Sequence, residues 1–384
     1  MVNKAFKIIE SDFEKYLDVW VDVCEIESPT SDKAGVDACG RYFANRAREL
    51  GFEVEYLHEK ISGDALAITM NPGAVGKPIV FSAHLDTVHP IGSFGAKPVR
   101  IEDGKIYGPG VTDCKGGAVA ALLAMDALRQ VSFTSRPVIL VLQSDEEISS
   151  ITSDKRTVDF MAKKAEGCEV FLNCEPNSTD KIIVERKGII RFVFDITGIE
   201  YHSSRCYDAA NAIAEAAYKI VELEKWKDKD GITCNCGVIN GGTTPNTVAG
   251  KCVFLADIRY KTPEELEYVK KRVREIADTA YVKGTSCELS VKSSRVSMQR
   301  RDSIVKMALR VSDISEECGL GARTLHTAVG GADSADMVTR GIVALDGFGV
   351  EGGYFHSTKE YAFIDSLLHS AKTMAAVAIK LGDK

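Results

Sequence analysis

Three short apolar segments of this chain end in side chains that can bind a metal or move a proton. The segments are 79–83, 137–143 and 169–173, and they are followed by His84 and Asp86, by Glu146 and Glu147, and by Glu175. Short apolar runs are typical of buried parallel strands, and α/β proteins place their sites at the carboxyl ends of such strands. Exposure to solvent would explain polar residues at the end of one such strand, but it explains poorly why three successive strands all end in them. We therefore predict a shared metal site at this edge of a sheet.

A histidine and an aspartate two positions apart end the first of these segments. Because side chains alternate between the two faces of a strand, His84 and Asp86 point the same way. One of them can then bind a metal while the other fixes the imidazole ring. For this pair taken alone, two solvated polar residues at a strand end are the alternative.

A glycine-rich stretch at 108–117 supplies a further acid, Asp113, just before an Ala- and Leu-rich helix that runs to Leu128. Glycines in such a place could form a phosphate cradle. Their spacing matches neither the dinucleotide nor the P-loop fingerprint, and an acid in the loop disfavours phosphate. Asp113 is therefore a candidate metal ligand.

These acids and histidines suffice for a centre of two metals. Two metals about 3.5 to 4 Å apart need a bridging carboxylate and terminal ligands on each side. We assign Asp113 as the bridge, His84 and Glu175 to one metal, and Glu147 and His356 to the other. Mixed histidine and carboxylate ligation suits two Zn²⁺ per chain, with Co²⁺ or Mn²⁺ as substitutes. Glu146 diverges from its neighbour and is the predicted general base and acid on a metal-bridging water; a solvated loop is the alternative for an isolated acidic triplet.

The composition disfavours several classes of partner. The chain has 384 residues and a formal net charge of −7, without a long block of lysine or arginine, so we expect no nucleic-acid partner and no anionic membrane. No apolar run approaches the roughly 18 to 20 residues that span a bilayer. With no apolar signal core in residues 1–16 either, we predict a cytoplasmic protein. The eleven cysteines are scattered through a large chain, which favours reduced thiols over a disulfide scaffold. Cys234-x-Cys236 is a weak metal signal, and simple packing is the preferred interpretation.

The periodicity changes near residue 188. From there to about 297 the predicted order is β-α-β-β-α-β, the ferredoxin-like signature of four antiparallel strands with two helices on one face. We predict an α/β chain in which residues 1–187 and 298–384 form a catalytic metal domain and residues 188–297 form an inserted α+β domain. A closing helix is expected at 361–381.

Together, these motifs resemble the M20 metallopeptidase family, and most closely its glutamate carboxypeptidase (carboxypeptidase G2-like) branch. The similarity covers nearly the whole chain, in order. The motifs are His84-x-Asp86, Gly108-Pro109-Gly110-x-x-Asp113-x-Lys115-Gly116-Gly117, Asp145-Glu146-Glu147, Glu175-Pro176, Gly330-Gly331-x-Asp333 and His356-x-x-x-Glu360-Tyr361.

The resemblance implies a mixed-sheet zinc-exopeptidase domain, an inserted dimerisation domain and a homodimer. It also implies that Asp86 orients His84 and that the Asp113-Cys114 peptide is cis. In the inserted domain, His202 resembles a histidine that reaches the active site of the partner subunit. The candidate substrate-binding residues there are His202, Asn246, Arg259 and Arg295, and each has a structural alternative: a loop histidine, a turn former and two surface charges.

We thus predict a zinc-dependent amide hydrolase that, like a carboxypeptidase, cleaves small peptides or N-acyl amino acids next to a free carboxylate. An N-acyl-amino-acid deacylase of the acetylornithine deacetylase or succinyl-diaminopimelate desuccinylase type shares every metal residue and is the first alternative. A non-catalytic, metal-stabilised binding protein is the remote alternative, because a purely structural site needs no base such as Glu146. The remaining histidines, His58, His89, His326 and His369, are interpreted as structural or surface residues.

Overall fold

The computed structural model describes residues 1–381, which divide into two compact units. The first unit comprises Met1–Glu185, Arg300–Thr327 and the chain from Ala332 onward. The second unit comprises Arg186–Gln299 and Ala328–Gly331. Among the helices of the described residues, none combines the length and the apolar character needed to cross a bilayer.

Three helices and then five strands open the described chain, and helices and strands are interspersed after them. The α-helices are α1 (Val2–Ser11), α2 (Phe13–Glu25), α3 (Lys33–Glu49), α4 (Lys115–Gln130), α5 (Arg156–Lys164), α6 (Ala212–Leu223), α7 (Pro263–Asp278), α8 (Asp302–Glu317), α9 (Asp333–Thr339) and α10 (Ser366–Lys380). The strands are β1 (Glu53–Leu57), β2 (Ala65–Met70), β3 (Ile79–His84), β4 (Arg100–Glu102), β5 (Lys105–Tyr107), β6 (Val138–Gln143), β7 (Val170–Asn173), β8 (Lys181–Arg186), β9 (Gly188–Thr197), β10 (Thr233–Gly241), β11 (Lys251–Tyr260), β12 (Ser286–Arg295), β13 (Thr324–Ala328), β14 (Ala344–Asp346), β15 (Gly352–Gly353) and β16 (Tyr361–Phe363).

The large sheet of the first unit is mixed, with the order β1-β2-β6-β3-β7-β14-β8-β13. At its centre β3 runs parallel to both β6 and β7, so that His84 pairs with Gln143 and Ser82 with Asn173. Every residue of β3, β6 and β7 is buried, as expected for strands covered on both faces. The three apolar segments are therefore neighbouring parallel strands, as predicted, and their carboxyl ends meet at one edge.

Helix α4 packs beside this edge. Its residues from Lys115 to Leu128 are all buried, which suits a helix of mostly Ala, Gly and Leu. A Cβ atom at Gly117 would lie 2.2 Å from the backbone oxygen of Cys174, so only glycine allows the helix to approach the end of β7 this closely.

The second unit contains a four-stranded antiparallel sheet of order β10-β11-β9-β12, with α6 and α7 packed against it. The predicted β-α-β-β-α-β order and the α/β class are confirmed. Alternate residues of β9 and β11 are buried, and Phe194 stacks on Phe254 with ring centroids 4.4 Å apart. This core anchors the strands that carry Arg259 and Arg295.

The expected closing helix is shorter than predicted. Tyr361–Phe363 forms strand β16, which pairs with β5, and the helix begins only at Ser366. Only Ala362 of the three strand residues is buried, so the burial alternates with the period of a strand. The prediction extended the helical period of α10 too far toward the N-terminus.

Candidate metal centre

The structure brings all five predicted metal ligands together in the first unit. His84 ends β3, Glu147 lies in a 3₁₀ turn after β6, Glu175 follows β7, Asp113 precedes α4, and His356 follows β15. Three of these positions are carboxyl ends of adjacent parallel strands, so the sheet topology itself makes the ligands converge.

Asp113 lies between the two histidines. Its Oδ1 atom is 3.0 Å from Nε2 of His84, and its Oδ2 atom is 3.5 Å from Nε2 of His356. His84 Nε2 is also 3.7 Å from a carboxylate oxygen of Glu175, and His356 Nε2 is 3.3 Å from one of Glu147. The two oxygens of Asp113 thus face two separate pairs, each made of one histidine and one glutamate.

Asp86 fixes the ring of His84. Nδ1 of His84 donates to the backbone oxygen of Asp86 at 2.9 Å and lies 3.3 Å from its carboxylate. The same carboxylate accepts the hydroxyl of Thr30 at 2.7 Å and the backbone N–H groups of Glu146 and Glu147, each at 3.2 Å. One buried carboxylate therefore orients the histidine and holds the turn that carries both glutamates.

The backbone around the centre has two unusual conformations. The Asp113-Cys114 peptide is cis, as the resemblance implies, and the Cys114 thiol donates to the backbone oxygen of Cys174 at 2.9 Å. His356 has a φ of 59°, a region that residues other than glycine rarely adopt. Left-handed backbone of this kind in a residue other than glycine is enriched at functional sites.

Negative charge dominates the electrostatics of the cluster. Burial, reinforced by the charge of Asp113, raises the pKa of Glu147 to about 8 and holds the pKa of Glu175 well above its ordinary value. Hydrogen bonds to Asp113 and Glu147 raise the pKa of His356 to about 10. Burial would raise the pKa of Asp113, but hydrogen bonds from His356 and His84 hold it below its usual range. The cluster therefore binds protons readily, and a cation would be stabilised there for the same reason.

This donor set fits divalent cations. Nδ1 of His84 donates its proton to Asp86, so in the neutral ring Nε2 carries a lone pair. This lone pair faces the carboxylates of Asp113 and Glu175, and a proton or a cation between them is needed to stabilise the arrangement. Among the described residues, His84, Asp113 and Glu147 lie at distances that one ion could bridge, and so do His84, Cys114 and Glu175. Imidazole nitrogen and carboxylate oxygen are ligands that Zn²⁺ accepts.

The predicted substrate residues lie in the second unit. His202 and Asn246 lie on adjoining segments, where the N–H of Ser203 donates to the backbone oxygen of Asn246 at 2.9 Å. Both side chains are exposed, and His202 Nδ1 is 2.8 Å from the hydroxyl of Ser204.

The two arginines lie on the strands that pair with β9 on either side. Arg259 of β11 and Arg295 of β12 both lie opposite Ile189 in the pairing register. Arg259 Nε donates to Asp257 at 2.7 Å, whereas Arg295 is buried, with 4% of its surface exposed. The alternative of a surface charge is therefore wrong for Arg295.

A separate group of possible ligands, Glu224, Cys234 and Cys236, lies in the second unit. Both oxygens of Glu224 are engaged, one by the backbone N–H of Cys236 at 2.6 Å and the other by Lys227 at 2.5 Å. Cys234 belongs to the core of the unit, with 2% of its surface exposed. These contacts favour the packing role predicted for this cysteine pair.

Three residues outside the predicted site support the centre. Thr30 gave no signal, because its contact with Asp86 joins segments 56 residues apart. His89 was interpreted as structural or surface and is buried against Glu360, at 2.7 Å. Glu360 belongs to the His356-x-x-x-Glu360-Tyr361 motif, and its spacing from His356 is the sequence signal that could have identified it as a site residue.

Known protein families include one whose sequence profile matches most of this chain. The sequence profile of peptidase family M20/M25/M40 matches residues 80–380. The chain belongs to this family. It is accordingly a hydrolase of the metallopeptidase type, as predicted.

Individual members of the family match over most of their length. Carboxypeptidase G2 of Pseudomonas sp. (strain RS-16) is 26% identical over 93% of this chain and 87% of its own length. Succinyl-diaminopimelate desuccinylase of Thioalkalivibrio sulfidiphilus is 25% identical over 91% and 94%. The crystal structure of a tripeptidase from Staphylococcus aureus superposes with a TM-score of 0.82, at 22% identity, over 95% of this chain and 98% of that one. This last similarity shows the shared fold.

We expect divalent cations to stabilise the first unit, because they bind the folded cluster more tightly than the unfolded chain. At a free Zn²⁺ concentration one hundred times the dissociation constant, one site adds about 2.7 kcal/mol. Calorimetry of chelated and Zn²⁺-loaded protein measures the shift in melting temperature.

The double variant His84→Ala/His356→Ala should lose most of that shift. His326→Ala, which removes an exposed histidine of the first unit, should keep it. Equal shifts in the wild type and the double variant would show that the stabilising cations bind elsewhere.

Proposed function

We propose that this chain is a two-cation amide hydrolase, carboxypeptidase-like, that cleaves small peptides next to a free carboxylate. The position of Asp113, with one oxygen toward His84 and the other toward His356, carries the proposal. A carboxylate shared in this way is what two adjacent cations require. Family membership and the match to carboxypeptidase G2 support the carboxypeptidase type.

His84 and Glu175 would hold one cation, Glu147 and His356 the other, and Asp113 both. When bound, the cations polarise a substrate carbonyl and lower the pKa of water. We propose two Zn²⁺, since the donors are histidine nitrogen and carboxylate oxygen, and Co²⁺ and Mn²⁺ accept the same donors.

Glu146 would move the proton. Its backbone N–H is held by Asp86 at 3.2 Å, and the residue is 8% exposed. Its charge helps to raise the pKa of both Glu147 and Glu175, so its carboxylate lies near the cluster. From there Glu146 takes the proton of the attacking water and delivers it to the departing nitrogen, so that one residue serves as base and then as acid.

Residues of the second unit would bind the substrate. A buried guanidinium such as that of Arg295 grips a carboxylate with two parallel hydrogen bonds, and Arg259 and Asn246 add polar contacts. We propose a homodimer in which His202 of the partner subunit donates a hydrogen bond to the scissile carbonyl oxygen. A reducing compartment, the cytoplasm, suits the eleven unpaired cysteines of the described chain.

A deacylase that removes acyl groups from amino acids is the second candidate. The match to a succinyl-diaminopimelate desuccinylase over 91% of the chain favours it. Its chemistry would use the same cations and the same base, so that only the acyl or peptidyl side of the substrate differs.

Replacing the proposed base should stop turnover without releasing the cations. Glu146→Gln removes the proton acceptor but keeps the size of the side chain, so we expect kcat to fall by at least about 100-fold. Metal analysis of the same sample should still find two cations per chain. Glu169→Gln, which alters a loosely paired glutamate 3.8 Å from Lys77, is the control and should remain active. Retained activity in Glu146→Gln would contradict the proposed role.

A substrate panel separates the two candidate functions. The panel pairs dipeptides with a C-terminal glutamate or another residue against N-acetyl and N-succinyl amino acids, each assayed with chelator and with added Zn²⁺. We expect chelator-sensitive cleavage of the peptides. Cleavage of the acyl compounds alone would instead identify a deacylase, and activity that resists chelation would reject the metal mechanism.

Co-expression of two inactive variants tests the shared active site. His202→Ala and Glu146→Gln, purified as a heterodimer through two different tags, should recover about half of the wild-type activity, because one site then has both Glu146 and His202 of the partner subunit. Each variant alone should be inactive. If His202 acts within its own chain, the heterodimer will be inactive as well.

A further inference from the structure

One fully buried carboxylate beside the centre, that of Glu360, binds the main chain of the loop that carries Asp113. Glu360 is 0% exposed and follows His356 by four residues. Its Oε1 atom accepts the backbone N–H groups of Thr112 at 2.9 Å and Asp113 at 3.1 Å. Its Oε2 atom accepts Nε2–H of His89 at 2.7 Å and the N–H of Gly110 at 3.3 Å.

Three of these four donors, the N–H groups of Gly110, Thr112 and Asp113, come from the loop that carries Asp113. Three backbone N–H groups that converge on one anion form a concave binding site, and charged acceptors make the stronger hydrogen bonds. Removal of the carboxylate would leave three buried donors without this acceptor, at a cost for each. The conformation of residues 110–113 therefore depends on Glu360.

Further contacts tie the same loop to the segment of Glu360. The hydroxyl of Thr112 donates to the backbone oxygen of Tyr361 at 2.6 Å, and strand β16 pairs with β5 just before the loop. Gly110 has a φ of 72°, and a Cβ atom there would lie 2.8 Å from a methyl carbon of Thr87. The loop thus has little freedom to shift as a body.

We propose that Glu360 is a positioning residue that joins the loop of Asp113 to the segment of His356. Because these two residues face each other across the site proposed for one cation, the join sets the spacing of that site. This inference rests on the proposed function. Glu360 acts through the backbone of Asp113, since both of its own oxygens are occupied by other donors.

Two substitutions at Glu360 remove its hydrogen-bond acceptors to different extents. Glu360→Ala removes all four contacts, and we expect the weaker-bound cation to dissociate about 10- to 100-fold more readily, as for other residues that orient ligands. Glu360→Gln keeps one oxygen for Thr112 and Asp113, while its amide can donate to His89 in the other tautomer. Because the charge is lost and the amide nitrogen cannot accept the N–H of Gly110, we expect a weakening of about threefold.

The readout is cation affinity and stoichiometry of the apo protein, measured by competition with a chromophoric chelator well below the melting temperature. Asp126→Ala is the matched control. Asp126 is another buried carboxylate of the first unit, and it accepts Tyr16 at 2.9 Å and Arg129 at 2.7 Å. That variant should lose thermal stability but bind both cations as the wild type does.

The outcomes separate the two ideas. If the wild type does not bind two cations, the proposed function fails. If it binds two and Glu360→Ala binds them equally well, the positioning role is wrong while the function stands. Equal weakening in Asp126→Ala would mean that lost stability alone accounts for the effect. Should Glu360→Ala not fold, Glu360→Gln decides, and unchanged affinity there overturns the inference.

Discussion

The rest of the structure depends on the convergence of negative charge at one edge of the large sheet. Strands β3, β6 and β7 run parallel, so their carboxyl ends deliver His84, the glutamate turn and Glu175 to the same place. Buried carboxylates repel one another unless protons or cations neutralise them. The raised pKa of Glu147 and of His356 records this demand for positive charge. A site assembled in this way is suited to divalent cations.

Two other buried carboxylates, those of Asp86 and Glu360, hold the loops that carry the ligands. Asp86 accepts the backbone N–H groups of Glu146 and Glu147, and Glu360 accepts those of Thr112 and Asp113. In both cases a buried charge binds the main chain of a loop through hydrogen bonds that involve no cation. Preorganisation of this kind reduces the ordering needed when a ligand binds.

Much of this centre could be predicted from local patterns. Apolar runs identified the central strands, and the residue types at their ends identified the ligands, because both depend on short stretches of sequence. The limits of local patterns appear at residues 361–381, where helical periodicity concealed strand β16, whose existence depends on pairing with β5. Burial of His89 and Arg295 likewise depends on distant neighbours and gave no local signal.

The sequence by itself determined which residues could bind cations and in which order the elements follow, since chain direction and side-chain alternation are local properties. Only the tertiary structure decided which histidine faces which oxygen of Asp113, and which carboxylates hold the loops. The contact of His89 with Glu360 spans 271 residues, and that of Thr112 with Glu360 spans 248. Such contacts form only when packing of the whole unit brings remote segments together, and no short stretch of sequence contains both partners.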